Sequence, residues 1–177
     1  KILIDGIIDD RVEIKLTSTK RDEVFEYLAF EQILKDYDLS KEEIEHGSVD
    51  GRNDGGIDGF FILVNGHPLV DPESFSWPRA GSQLEVWIIT CKLHDTFKHA
   101  PLDNLVASLS ELFDLGIENN DLRGDYSELI NKKKKNLKLA YRKLSPRLSS
   151  FNLNFSYASR GDSKDVGESI VSRGEQI

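Results

Sequence analysis

The chain has 177 residues, 23 of them basic and 31 acidic, for a formal net charge of −8. That length supports one domain with a proper core and excludes two large ones. With 38% hydrophobic and 31% charged residues, one cysteine and no apolar run near the roughly 18 residues that span a bilayer, a membrane-embedded chain, a disordered chain, an internal disulfide and a cysteine-clustered zinc site are all excluded.

No charged stretch followed by an apolar one marks a signal peptide, so a cytoplasmic setting is expected. The chain begins at Lys1 and contains no Met, which predicts a piece of a longer protein or a chain processed at its start. Residues 1–19 form an N-terminal segment without clear periodicity. Residues 20–160 carry the domain, and residues 161–177 read as the start of a following region or a tail.

From Lys20 to Tyr37 the apolar residues Val24, Phe25, Leu28, Ile33, Leu34 and Tyr37 recur at helical spacing without an internal Gly or Pro. Ser40 followed by Glu43 is a capping-box signal for a short helical turn over 41–46. Residues 57–64 read as a strand apolar on both faces, hence central and covered on both sides. Asn65-Gly66 is a hairpin turn signal, and a short strand over 67–70 returns from it. A loop with two prolines fills 71–83. Leu84–Lys92 is the next strand and the most apolar run in the chain.

Residues 102–115 read as an amphipathic helix with Leu102, Leu105, Val106, Leu109, Leu112 and Phe113 on one face. Residues 126–144 read as another, broken by Ser145-Pro146. Phe151, Leu153, Phe155 and Tyr157 alternate with polar residues as a half-buried strand. The order predicts an α/β layered domain with a mixed central sheet flanked by helices.

The net charge alone argues against a nucleic-acid binder, but it is uneven. Residues 1–130 carry 12 basic and 27 acidic side chains, whereas residues 131–150 carry 8 basic and none acidic. Lys132, Lys133, Lys134, Lys135 and Lys138 could therefore track a phosphate backbone. The plainer reading is a solvated helix face.

Chemistry is expected where charges meet dry strands. Asp58 opens the first buried strand and Lys92 closes the second, and such charges need a partner or a ligand. A structural ion pair is one reading. A metal-holding carboxylate beside a catalytic lysine is the other. Strand alternation puts Thr90 beside Lys92 and turns Glu85 away from it.

Gly55-Gly-Ile-Asp58, a hairpin and Ile89-Thr-Cys-Lys92 resemble the core of the PD-(D/E)XK nucleases. The fuller run Asp54-Gly-Gly-Ile-Asp-Gly-Phe-Phe61, with Cys91-Lys-Leu-His-Asp-Thr-Phe97 and Leu102–Leu109, is similar to the AIPR (abortive infection phage resistance) family. The resemblance covers roughly residues 22–115. It implies a restriction-endonuclease-like core and Mg²⁺- or Mn²⁺-dependent cleavage of nucleic acid, DNA before RNA, in bacterial anti-phage defence.

Carried over by position, it implies Asp58 as metal ligand and Lys92 as catalytic lysine. Phe25-Glu26 resembles a helix motif of related nucleases, which makes Glu26 the second metal ligand and Glu31 the reserve. Thr90, counted with Asp58 and Lys92 as catalytic, stands where the family has Glu or Gln, so metal affinity should drop or Asp54, Glu26 or the Cys91 carbonyl must supply the ligand; His94 could line the cleft. The competing expectation is a catalytically degenerate nuclease fold that binds nucleic acid or protein. A homodimer is left open.

Overall fold

The computed structural model describes residues 21–49, 56–92 and 126–159, together with Asp5, Ile7, Ile8, Ala107, Leu109, Ser110 and Leu112–Asp114. The expected helix over 102–115 lies mostly outside the described residues, but Ala107, Leu109, Ser110 and Leu112 are helical. The order is helix α1 (Arg21–Ile33), helix α2 (Lys41–Gly47), strand β1 (Gly59–Val64), strand β2 (His67–Pro68), strand β3 (Ser82–Lys92), helix α3 (Glu128–Leu144) and strand β4 (Leu148–Ser159). No helix among the described residues is long and apolar enough to cross a membrane.

The strands form one mixed sheet in the order β2-β1-β3-β4. β1 pairs antiparallel with β3, Gly59 opposite Ile89 and Val64 opposite Leu84. β4 pairs parallel with β3, from Ser82–Leu148 to Lys92–Ser159. A parallel neighbour requires a crossover, and α3 lies within it.

The sheet is covered on both faces, as the apolar runs of β1 and β3 require. On one face Phe60, Ile62, Val64, Leu84, Val86 and Ile88 share a core with Ile130, Leu137, Ala140 and Leu144 of α3. On the other, Phe61, Ile89 and Cys91 meet Val24, Phe25 and Phe30 of α1, Leu34, and Ile44 of α2. Each large apolar side chain so buried stabilises the fold by roughly 1.5–3 kcal/mol. Cys91, 6% exposed, is a core side chain.

Several boundaries differ from the sequence reading: β1 starts at Gly59 rather than residue 57, β3 at Ser82 rather than Leu84, and α3 at Glu128 rather than residue 126. The first helix ends at Ile33, and a 3₁₀ turn follows over Lys35–Tyr37, closed by Asp38 in a left-handed conformation (φ 52°). β2 is only two residues long, since Pro68 offers no amide hydrogen to extend the ladder. The last strand starts at Leu148, directly after the 3₁₀ turn Ser145–Arg147.

The local signals hold elsewhere. Ser40 Oγ accepts from Glu43 N at 3.2 Å while Glu43 Oε2 accepts from Ser40 N at 2.8 Å, closing the capping box. Asn65 and Gly66 both have positive φ, 50° and 78°, as a two-residue hairpin turn with matching twist demands.

Candidate functional site

The site is built at the end of the sheet where β1 begins and β3 stops. Ser48 bridges to Gly59, and Val49 N donates to Asp58 O at 2.9 Å, so the segment after α2 leads into the mouth of β1. Gly59 is needed there: a Cβ would lie 2.7 Å from the Phe30 ring of α1.

Asp58 is 4% exposed. Its backbone N donates to Ile89 O at 3.0 Å. Its Oδ2 accepts from Cys91 N at 2.5 Å, so the carboxylate clasps the end of β3. Thr90 is buried, and its Oγ1 donates to Gly56 O at 2.7 Å. Gly56 has φ 83°, a conformation that L side chains resist. The Thr90 hydroxyl thus fixes the turn that delivers Asp58. Its hydrogen points at that carbonyl.

Lys92 is half-buried at the end of β3. Among the described residues no ion pair joins it to Asp58. Glu85 faces the α1 side, where it accepts from Tyr37 Oη at 2.6 Å. Burial first, and then this bond, hold the Tyr37 phenol above its usual value.

The two helix carboxylates part company. Glu26 lines a cavity of about 190 Å³ with Glu23, Tyr27, Phe30, Ile44, Glu45 and Ser48. Ser48, which lines it, bridges to Gly59, but Asp58 is not among the lining residues. Glu31 lines a different cavity, with Lys35 and Asp38. Asp54 and His94 lie outside the described residues.

The lysines of α3 do not form one exposed face. Lys132 and Lys135 are exposed, whereas Lys133 (5%), Lys134 (0%) and Lys138 (9%) are buried. Lys133 Nζ lies 3.1 Å from His46 Nδ1 on α2. Because α3 leads down to β4, which starts opposite Ser82, its first half lies toward the Asp58 end; Ile130 shares a core with Val49 and Ile57.

Sequence reasoning missed two members of this neighbourhood. Tyr157 stands opposite Thr90 on β4. Burial and then the Asp58 charge hold its phenol above the usual value, so the two sense one another. His46 was the other, and no local signal pairs it with a lysine 87 positions away.

Among the described residues no group of three or more His, Cys, Asp or Glu side chains is placed to hold a metal ion. The donors gathered around Asp58 are carboxylate, hydroxyl and carbonyl oxygens. They suit Mg²⁺ or Mn²⁺ in kind. In number they fall short of a full ligand shell, since Asp58 is the one carboxylate among them.

Compared with protein-family models, with curated proteins and with solved structures, the chain matches none of them.

Proposed function

We propose that the chain is a PD-(D/E)XK-type nuclease domain that hydrolyses phosphodiester bonds of DNA or RNA with Mg²⁺ or Mn²⁺. The observation that carries this reading is the pairing of Asp58 and the Thr90-Cys91-Lys92 strand end across two adjacent central strands. The anti-phage setting, and with it a cytoplasmic location, rests on the AIPR resemblance.

A divalent ion at Asp58, with Glu26 as second carboxylate, would neutralise phosphoryl charge and acidify a bound water. Asp58 is well suited to such a role because burial strengthens its electrostatics. Thr90 positions Asp58 through Gly56. Lys92 stabilises the charge that builds on the phosphoryl oxygens. Lys132 and Lys135, exposed on α3, hold the phosphate backbone.

The test is cleavage of plasmid DNA and of single-stranded RNA with Mg²⁺ or Mn²⁺, by this chain and by Lys92→Ala. The variant should lose activity. Equal residual activity in both would sink the assignment.

A second reading, a nuclease fold that binds without cutting, is favoured by one observation: the Thr90 hydroxyl donates to Gly56 O where the family carries a Glu or Gln side chain. Calorimetry separates the two. A degenerate site takes up neither Mg²⁺ nor Mn²⁺ yet still binds nucleic acid.

A further inference from the structure

We propose that β4 is a dimerisation strand. Two copies of the chain pair their β4 edges antiparallel about a two-fold axis at Leu153, joining their sheets into one.

The two edges of the sheet are treated differently. One ends on β2, a two-residue strand that carries Pro68, which is how proteins blunt an edge. The other ends on β4, twelve residues long, with no further neighbour among the described strands. From Leu148 to Ser159 this strand has no Asp, Glu, Lys, Arg, His or Pro. A long uncharged edge is a template for another strand, and soluble proteins rarely leave one unguarded.

The sequence of the strand names the occupant. Ser150-Phe-Asn-Leu-Asn-Phe-Ser156 reads the same in both directions, with Leu153 at its centre. In an antiparallel self-pairing centred there, Phe151 of each copy falls opposite Phe155 of the other. Asn152 falls opposite Asn154, and Leu153 opposite Leu153. Cross-strand aromatic and polar pairs of this kind stabilise a sheet, and no like charges meet. A slip by one residue would set Phe151 against Ser156 and Leu153 against Asn154, which the two-residue alternation of faces forbids.

Three of the exposed large apolar side chains among the described residues meet here. Phe151 (40%) and Leu153 (37%) are exposed on the face that Phe155 shares with the α3 core. Tyr141 of α3, 39% exposed, packs its ring 6.0 Å from Phe151 and widens the apolar patch. A two-fold axis normal to the sheet would bring both patches together on one face. Because each copy uses its β4 edge on the other, the contact closes at two subunits.

Sedimentation equilibrium of the full chain should give twice the 20.1 kDa chain mass. Leu153→Lys places two like charges at the axis and should return the monomer mass with cooperative unfolding retained. Leu153→Cys should form an intersubunit disulfide on mild oxidation, because only the residue on the axis meets itself, whereas Asn154→Cys should not. A monomeric native chain, an open series of larger species, or cross-linking through Asn154→Cys instead of Leu153→Cys would each overturn the proposal. The native mass and the cysteine pair decide it even if Leu153→Lys fails to fold.

Discussion

Lys133 Nζ of α3 lies 3.1 Å from His46 Nδ1 in the last turn of α2, joining the covers of the two sheet faces. Burial first, then Lys133 and Lys132, push His46 down to about 4 from 6.5. Between those values the unfolded chain binds the extra proton. Stability from this group is therefore complete above about pH 6.5 and falls as the pH drops toward about 4. Urea unfolding against pH should show a steeper acid limb in the native chain than in His46→Gln. Parallel limbs would contradict it.

The other half of the pair acts at the alkaline end. Burial, and then Lys132, push Lys133 down to about 8 from 10.5. The folded state sheds its proton first. Stability should rise between those values, by about 3 kcal/mol at most. Lys133→Met removes the buried charge and should flatten this alkaline rise while lifting the stability at neutral pH. An unchanged alkaline slope would show that Lys133 is not the group responsible.

Asp58 has a structural duty and a proposed chemical one, and two substitutions separate them. Asp58→Asn keeps an oxygen for Cys91 N and should fold nearly as well, yet lose metal-dependent cleavage. Asp58→Ala leaves that buried amide without its acceptor, at about 1–3 kcal/mol, and should lose stability as well as cleavage. Thermal unfolding and a cleavage assay on both variants check this. Full activity in Asp58→Asn would remove the carboxylate from the chemistry.

Thr90 is tested in the same spirit. Thr90→Val keeps the shape but leaves Gly56 O without its 2.7 Å donor, so it should destabilise by about 1–2 kcal/mol. Thr90→Ser keeps the donor and should come closer to the native chain. If both variants unfold alike, the hydroxyl does not hold the turn.

The sheet was legible from the chain because β1 and β3 are apolar on both faces and Asn65-Gly66 permits few other turns. Asp58 and Lys92 stood out because each abuts a dry strand. Their neighbours did not. Thr90 is recognisable as the guardian of Gly56 only once β3 lies beside that turn. His46 and Lys133 meet only because α2 and α3 cover opposite faces at one end of the sheet. The lysine run misled in a specific way: four consecutive lysines on a helix cannot all face solvent when the helix is packed. Periodicity around Ile130, Leu137 and Leu144 already turned Lys133 and Lys134 inward.

That inward turn divides the basic block into two groups with different expected behaviour. Lys132 and Lys135 are exposed, so Lys132→Glu and Lys135→Glu should each weaken nucleic-acid binding evenly across sequences and lower the salt slope by about one. Lys133 faces His46 and is nearly sealed from water. Lys133→Met should leave the salt slope where it is and move the unfolding curve instead. Fluorescence anisotropy with a short duplex over a salt series, alongside urea unfolding, reads both quantities on the same proteins. If Lys133→Met lowers the slope as much as Lys135→Glu does, the buried lysine reaches phosphate after all and α3 must rotate or loosen to bind.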